Sequence, residues 1–598
     1  MRYKSFPELA AAVFQPSFPQ REDRGRFRSS EYITMRDGVK IAIDVTLPAD
    51  LKPGEKIPAI LQQTRYHRRK VFRRGLGWLR KYLVRDFEIP EHGYANVYVD
   101  VRGTGASFGS HPYFLCPEER RDMSDILDWI VAQPWSDGRV MTIGVSYPGM
   151  TAEVAGTSNH PALRGLLPME VSWDLYGDLN PGGIRIDGVT KKWSNLAESL
   201  DQNDTRAISF LYWLLLRGVT PVDSDSNGAL MQEAILDHKD NERPFEYDQH
   251  IEYRDDPYGP TGVTTDVSSM FNLFRAGPSE IPVYLWGSWY DAGTANVVIN
   301  HFLNWNVPFV GVIGSWAHTI VHDGSPYNSG KTEANPPRDI MFNEFYRFFD
   351  YCRKGNPSPP KQILYYTIGE EVWRSSPVWP PEGHLLKRWF LGENHGLSEE
   401  APQGDVGSDH YEVNFTATSG TKSRWFTLVS QPVEYKNRDR EDKKLLTYET
   451  PPFTVDFEMT GHPIANIYLS STHEDGCLIV YIEDIDTEGS VYYLTEGAIR
   501  FMNRKVIDKP FYKSIGPQHS LLRSDAAPMV PGEVTEITFA LLPISAMIRK
   551  RHRLRVAFAG ADHDNFSRYP KTGVPRLEFM RNATYPSSID IPVVQQYQ

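Results

Sequence analysis

The sequence predicts an α/β core interrupted by a helical insertion and followed by a C-terminal domain of β-strands, read as a sandwich or jelly-roll. Three observations predict it. Residues 30 to 173 alternate short β-rich runs with helical periodicity, as the strands and helices of a layered sheet do. Residues 174 to 275 lose the strands and become helical and rich in Asp, Asn and Trp. Beyond residue 357 long helical periodicity disappears while strand patterns multiply. The 598 residues, 40% apolar and 12% aromatic, suffice for two or three domains with large cores, which excludes disordered and fibrous classes.

In chain order, strands are expected at Ile41 to Leu47, Ala59 to Gln63, Ala95 to Val101 and Val140 to Val145. Between the last two, Glu118 to Gln133 sets Met123, Ile126, Leu127 and Ile130 at helical spacing, and Pro134 ends the helix. The first part of the core spans 1–173 and the helical cap 174–275. Within the cap, Thr205 to Leu216 reads as helix, and Phe210 to Leu216 as its buried face. The core resumes over 276–356 with strands at Val283 to Gly287 and Phe309 to Ile313 and an amphipathic helix over Phe342 to Tyr351. A Pro-rich stretch, Asn356 to Pro360, opens the β domain of 357–598. Its clearest strands are Ile467 to Leu469, Leu478 to Ile485, Val534 to Leu541 and His552 to Phe558.

Net charge −12 gives no reason to expect binding to nucleic acid or to an anionic membrane. Three sparse cysteines, Cys116, Cys352 and Cys477, form neither a disulfide framework nor a metal motif and suit a reducing compartment. The longest apolar stretch near the N-terminus, Leu9 to Phe14, is too short for a signal-peptide core. A cytoplasmic protein is expected, acting on a small-molecule ester or amide, with no nucleic acid, no membrane and no cofactor as partner and a homodimer left open.

The chemistry concentrates in Met141-Thr-Ile-Gly-Val-Ser-Tyr-Pro-Gly-Met150. A β-rich run, a serine between small residues and a helix-permissive stretch form the layout of a nucleophile elbow. The usual GxSxG pattern is offset, because Pro148 stands where the second glycine belongs and Gly149 comes one place later. An α/β-hydrolase presents its acid and base after the serine, each beyond a later strand. Strand Val283 to Gly287 leads to Asp291, and strand Phe309 to Ile313 leads to His318. Taken singly, Asp291 also reads as the cap of a helix over Ala292 to Phe302 and His318 as a loop histidine.

Together these residues resemble the CocE/NonD hydrolases, the cocaine esterase and X-Pro dipeptidyl-peptidase type of serine hydrolase. The elbow of that family, G-x-S-Y-x-G, matches Gly144-Val-Ser146-Tyr147-Pro-Gly149. Asp100-Val-Arg102-Gly103-Thr-Gly105-Ala-Ser107-Phe-Gly109, Gln133-Pro134-Trp135-Ser-Asp137-Gly138, Trp289-Tyr290-Asp291 and Trp316-Ala-His318 match as well, and the likeness covers about residues 30 to 590. The resemblance implies an α/β-hydrolase core with a helical cap and a C-terminal jelly-roll. It implies Ser146 as nucleophile, His318 as general base and acid, and Asp291 as its orienter. It also implies an oxyanion hole from the Tyr147 N–H and the Tyr66 hydroxyl, although His67 stands where the family often has Asp.

Other signals are weaker. His318 and His322 have the spacing of one helix face, but Thr319 stands where a zincin has Glu, so no metal site is expected. The Gly103/Gly105 loop lacks the spacing of a dinucleotide fingerprint. The basic run Arg65, Arg68, Arg69, Lys70, Arg73, Arg74 reads as a solvated face beside the site. Trp173, Trp193, Phe210, Tyr212 and Trp213 suggest an aromatic acyl pocket. A serine esterase or amidase for uncharged acyl groups is the first reading. The alternatives are an X-Pro dipeptidyl-peptidase or α-amino acid ester hydrolase, with cap acids Asp174, Asp178 or Glu198 meeting an ammonium, and a non-catalytic binding protein on the jelly-roll.

Overall fold

The computed structural model describes residues 5–14, 26–73, 75–76, 89–274, 280–328, 332–355, 359–427 and 431–594. Arg74, Asn356–Ser358 of the Pro-rich stretch and the side chain of Phe210 lie outside the described residues.

A ten-stranded sheet organises the first 376 residues. Its seven central strands run parallel, in the spatial order Ala95–Asp100, Ile57–Thr64, Ser136–Val145, Leu163–Met169, Val283–Ser288, Phe309–Gly314 and Gln362–Thr367. The central ones are apolar on both faces because helices cover both sides: every residue of Ile57–Thr64, Val283–Ser288 and Phe309–Gly314 is buried. Antiparallel strands Lys40–Pro48 and Arg26–Thr34 extend one edge, and Val372–Ser376 the other. The sheet therefore runs past the expected limit near 356. Of the two strands after the Pro-rich stretch, Gln362–Thr367 pairs with Phe309–Gly314 and Val372–Ser376 pairs with Gln362–Thr367, rather than opening the β domain.

Helix Pro117–Ala132 buries Met123, Ile126, Leu127 and Ile130, the predicted stripe. Helix Arg338–Lys354 buries Phe345, Phe348 and Phe349. The stretch Leu9 to Phe14 lies at the end of a short helix, Phe6–Val13, docked on the sheet. Phe6 packs on Trp286 and Trp373, and Phe14 on Tyr284 and Phe348, each buried ring contributing about 1.5–3 kcal/mol.

The cap enters between Leu163–Met169 and Val283–Ser288. Its longest helix, Asp187–Asp201, lies over the C-terminal ends of the parallel strands. The expected helix over Thr205 to Leu216 is broken into Thr205–Ile208 and Phe210–Leu215, and Leu216–Val219 is a strand paired with Lys70–Phe72. Leu211 and Leu214 are exposed, so this run is not a buried face. The basic run is not a solvated face either. Arg65 is fully buried on Asp201 and Glu242, and Arg68 is buried on Asp44 and Asp100. Buried carboxylates, Asp201 and Glu242 from the cap and Asp44 and Asp100 from the sheet, require these cations.

Residues beyond 384 form two antiparallel sheets, with strands Ile464–Ser471, Cys477–Ile485, Thr535–Ala540 and Arg553–Ala559 at the predicted places. Among the described residues no helix is long and apolar enough to cross a membrane.

Candidate active site

Five parallel strands release their chains into one cavity at their C-terminal ends, where the strand order reverses around Ile57–Thr64. Tyr66 follows the first of them by two residues, Ser146 its strand by one, Glu170 by one, Asp291 by three and His318 by four. All five, with Tyr147, line a cavity of about 270 Å³.

Ser146 sits at φ 64°, ψ −129°, a strained backbone that projects its hydroxyl between the strand Ser136–Val145 and the helix Tyr147–Val154. The offset glycine pattern has a steric cause. A Cβ on residue 144 would come within 2.2 Å of the Pro148 carbonyl, and one on residue 149 within 2.6 Å of the Met169 carbonyl oxygen. Pro148 is in the first helical turn, where no N–H is needed, so proline is tolerated and the glycine requirement moves one place along. Tyr147 begins the helix, and its N–H has no partner within it.

His318 Nδ1 donates to Asp291 Oδ2 at 3.0 Å, which leaves Nε2 as the nitrogen able to take a proton from Ser146. Asp291 Oδ1 accepts the hydroxyl of Thr427, a residue of the β domain. The same loop locks the backbone of the acid turn: Arg424 donates to the carbonyls of Ala292, at 2.8 Å, and Trp289, and its own carbonyl accepts the Ala292 N–H. Burial opposes a charge on His318, but the carboxyl groups of Asp291 and Glu170 outweigh it and hold the imidazole up at about 9.

Tyr66 Oη accepts a hydrogen bond from Trp193 Nε1 at 2.8 Å. An indole only donates, so the tyrosine proton is left for another acceptor, and the same hydroxyl also interacts with Ser146. Burial pushes the Tyr66 phenol above its ordinary range, so it stays a donor at neutral pH. His67 is buried at φ 68° with Nε2 on the Leu200 carbonyl. Burial lowers its pKa to about 4, so it enters as a neutral strut. Arg65, beside Tyr66, stacks over Trp193 and Tyr147.

Comparison with known proteins shows the family and the fold. Residues 37–320 match the family model described as X-Pro dipeptidyl-peptidase (S15 family), and 355–590 that of the X-Pro dipeptidyl-peptidase C-terminal non-catalytic domain. A Mycobacterium bovis chain named "Putative serine esterase" is 36% identical, over 96% of each chain. Cocaine esterase of a Rhodococcus species is 24% identical, over 95% of this chain and 98% of its own. The solved structure of a CocE/NonD family hydrolase from Staphylococcus aureus superposes with TM-score 0.68 at 17% identity, covering 95% of this chain and 93% of that one. The chain belongs to the CocE/NonD, S15-like family of serine hydrolases.

In this CocE/NonD-type hydrolase, Ser146, Tyr147, Tyr66, Asp291 and His318 come together, as the sequence motifs suggested. The proposed pocket aromatics do not. Trp193 lines the cavity, whereas Trp173 is buried against His301 and Tyr512, and Tyr212 and Trp213 sit beside Lys70 and Arg73. The segment His318 to His322 is a turn with Thr319 and Ile320 both left-handed, so the two histidines do not share a helix face. The loop after Ala95–Asp100 turns its Ala106 N–H onto Asp100.

Sequence reasoning missed three residues. Thr427 and Arg424 reach the acid from more than 130 positions away, which no motif signals. Glu170 had a signal, since it stands directly after a buried parallel strand, as Ser146 does.

Proposed function

We propose that the protein hydrolyses esters of small uncharged acyl groups through a Ser146 acyl-enzyme, with His318 as general base and acid and Asp291 as its orienter. The observation that carries this reading is the strained Ser146 elbow and the His318–Asp291 pair lining one small cavity. Ser146 Oγ passes its proton to His318 Nε2 as it bonds the acyl carbon. The carbonyl oxygen takes the electron pair and lies against the Tyr147 N–H and the Tyr66 hydroxyl. The imidazolium then protonates the departing alkoxide, and water repeats the sequence to free the acid.

Pocket chemistry supports the substrate class. Leu175, Leu179, Ile186, Val189 and Val263 line the cavity beyond the serine. Most acids near them are already engaged. Asp174 is paired with Arg254, Asp178 accepts Ser172 Oγ and the N–H groups of Trp173 and Asp174, and Glu242 is paired with Arg65. Glu198 is bonded by Ser194 and does not line the cavity.

The second reading, an X-Pro dipeptidyl-peptidase or α-amino acid ester hydrolase, is favoured by one residue. Asp248 lines the cavity, and burial with the nearby Glu242 pushes its carboxyl up to about 7. An ammonium placed there would ionise it. We also infer a cytoplasmic location, supported by the buried free thiols of Cys116, Cys352 and Cys477; fractionation of the source cells tests it. Labelling with a fluorophosphonate and mapping of the modified peptide tests the nucleophile: the adduct is expected on Ser146, and an adduct elsewhere overturns the assignment.

A further inference from the structure

Glu170 stands next to the catalytic base and has no role in the chemistry above. It follows the strand Leu163–Met169 directly and takes φ 51°, a left-handed conformation that a non-glycine residue adopts only under strain. The strained turn delivers a fully buried carboxyl to the same nitrogen that Asp291 binds. Glu170 Oε2 lies 3.3 Å from His318 Nδ1, against 3.0 Å for Asp291 Oδ2. Oε2 also accepts the Thr319 N–H at 2.6 Å, while Oε1 is buried without a hydrogen-bond partner. One oxygen of each carboxyl and one nitrogen of His318 all lie within 4.8 Å of one another.

A turn-capping role does not require this arrangement. The Thr319 N–H would be satisfied by any acceptor, whereas a second buried carboxyl beside Asp291 is costly unless a proton or a cation accompanies it. Burial, with Asp291 adding to it, pushes the Glu170 carboxyl well above the usual carboxylate range. The titratable groups facing one another here, among the described residues, are Glu170 from the end of Leu163–Met169, Asp291 from the loop after Val283–Ser288 and His318 from the loop after Phe309–Gly314.

We propose that Glu170 is a second carboxyl partner of the catalytic imidazole, a positioning residue that lies within ion-pair distance of His318 Nδ1 beside the Asp291 hydrogen bond and bears part of the imidazolium charge. The inference rests on the assignment of Ser146, His318 and Asp291 as the triad. When His318 Nε2 takes the Ser146 proton, Nδ1–H stays on Asp291 Oδ2 and the Glu170 carboxyl lies beside the new positive charge. When Nε2 returns that proton to the leaving group, Glu170 has neither gained nor lost one. Its effect therefore falls on the orientation of the ring and on the pH at which the ring becomes neutral.

The test uses the full-length enzyme as wild type, Glu170→Gln, Asp291→Asn and the double variant. The rate of fluorophosphonate labelling and kcat/KM for p-nitrophenyl acetate are followed against pH. Glu170→Gln keeps the acceptor for Thr319 but removes a carboxyl that can ionise when the imidazole gains its charge, so the acid limb is expected to move down by about one pH unit. Asp291→Asn is expected to retain roughly tenfold more activity than the double variant, because Glu170 still orients the ring. An acid limb of Glu170→Gln that coincides with wild type, or a double variant equal to Asp291→Asn, overturns the proposal. Should Glu170→Gln not fold, the downfield proton resonance of His318 Nδ1–H decides. Its persistence in Asp291→Asn supports Glu170 as a second partner of the imidazole, and its loss overturns that role. Failure of the triad itself shows separately, as labelling that persists in Ser146→Ala.

Discussion

The two halves of the active site are built differently. Ser146, Asp291 and His318 stand within four residues of the ends of buried parallel strands, so their positions follow from the sheet and their motifs are contiguous in sequence. Trp193 from the cap and Arg424 and Thr427 from the β domain reach the same groups across long sequence separations and position them without entering the chemistry. On the roles proposed above, strand ends supply the reacting atoms, while the added domains supply their orientation. Replacing the first set should remove steps of the reaction, and replacing the second should weaken them.

The largest expected effect breaks the strand-end half. Ser146→Ala is expected to abolish turnover of p-nitrophenyl esters, and His318→Ala to lower kcat by on the order of 10⁴ or more, because triad members act as a unit. Either variant retaining a tenth of wild-type kcat would remove that residue from the chemistry. Truncation after residue 356 should be equally damaging for another reason. It deletes Gln362–Thr367 and Val372–Ser376 and leaves the strand Phe309–Gly314 as an open apolar edge just where it delivers His318. Insoluble protein is expected, and a soluble active fragment would contradict the fold's account of that edge.

Tyr66 joins the two halves. Tyr66→Phe is expected to lower kcat by roughly 10² to 10³ with little change in KM, since its hydroxyl acts on charge that develops only in the transition state. Trp193→Phe, which removes the indole donor but keeps an aromatic ring, should cost about tenfold in kcat by leaving the tyrosine hydroxyl free to rotate. An effect of Trp193→Phe as large as that of Tyr66→Phe would mean that the indole itself meets the oxyanion, and the comparison would have to be redrawn.

The pH profile sharpens the same contrast. On the proposed mechanism activity requires neutral His318, and the carboxyl groups of Asp291 and Glu170 favour its charged form up to about 9. The sign is that activity is lost as pH falls through this ionisation. The acid limb of kcat/KM is therefore expected above the ordinary histidine range rather than near it. A limb near 6.5 would show that neither carboxyl holds the imidazole in its charged form.

What was legible in the sequence follows the same division. That Ser146, Asp291 and His318 line one cavity could be read because each motif is a few residues long and tied to a strand whose apolar run announces it. The basic run Arg65 to Arg73 was misread because nothing local shows that Asp201, Glu242, Asp44 and Asp100 come to meet those guanidinium groups. The aromatic cap was overread for a like reason. Trp173 and Trp193 lie in the same segment, but the turn of the chain sends one into the core behind the nucleophile helix and the other over Tyr66.

The smallest expected effects concern the supporting half and the choice of substrate. Thr427→Val removes one donor from Asp291 and should cost about tenfold in kcat or less, with the Oδ2 bond to His318 intact. Asp248→Asn decides between the two substrate readings. In a pocket for uncharged acyl groups, Asp248 with its carboxyl near 7 is a bystander, and kcat/KM for p-nitrophenyl acetate should change by less than about threefold. If the enzyme takes α-amino acyl groups, the same carboxylate faces the ammonium, and kcat/KM for phenylglycine methyl ester or an X-Pro p-nitroanilide should fall by roughly 10² or more on its removal. The wild-type enzyme is expected to prefer the neutral ester, and Asp248→Asn to leave that preference where it stands. A wild-type preference for the ammonium-bearing substrate that Asp248→Asn abolishes would replace the first reading with the second and make the cap, not the strand ends, the source of specificity.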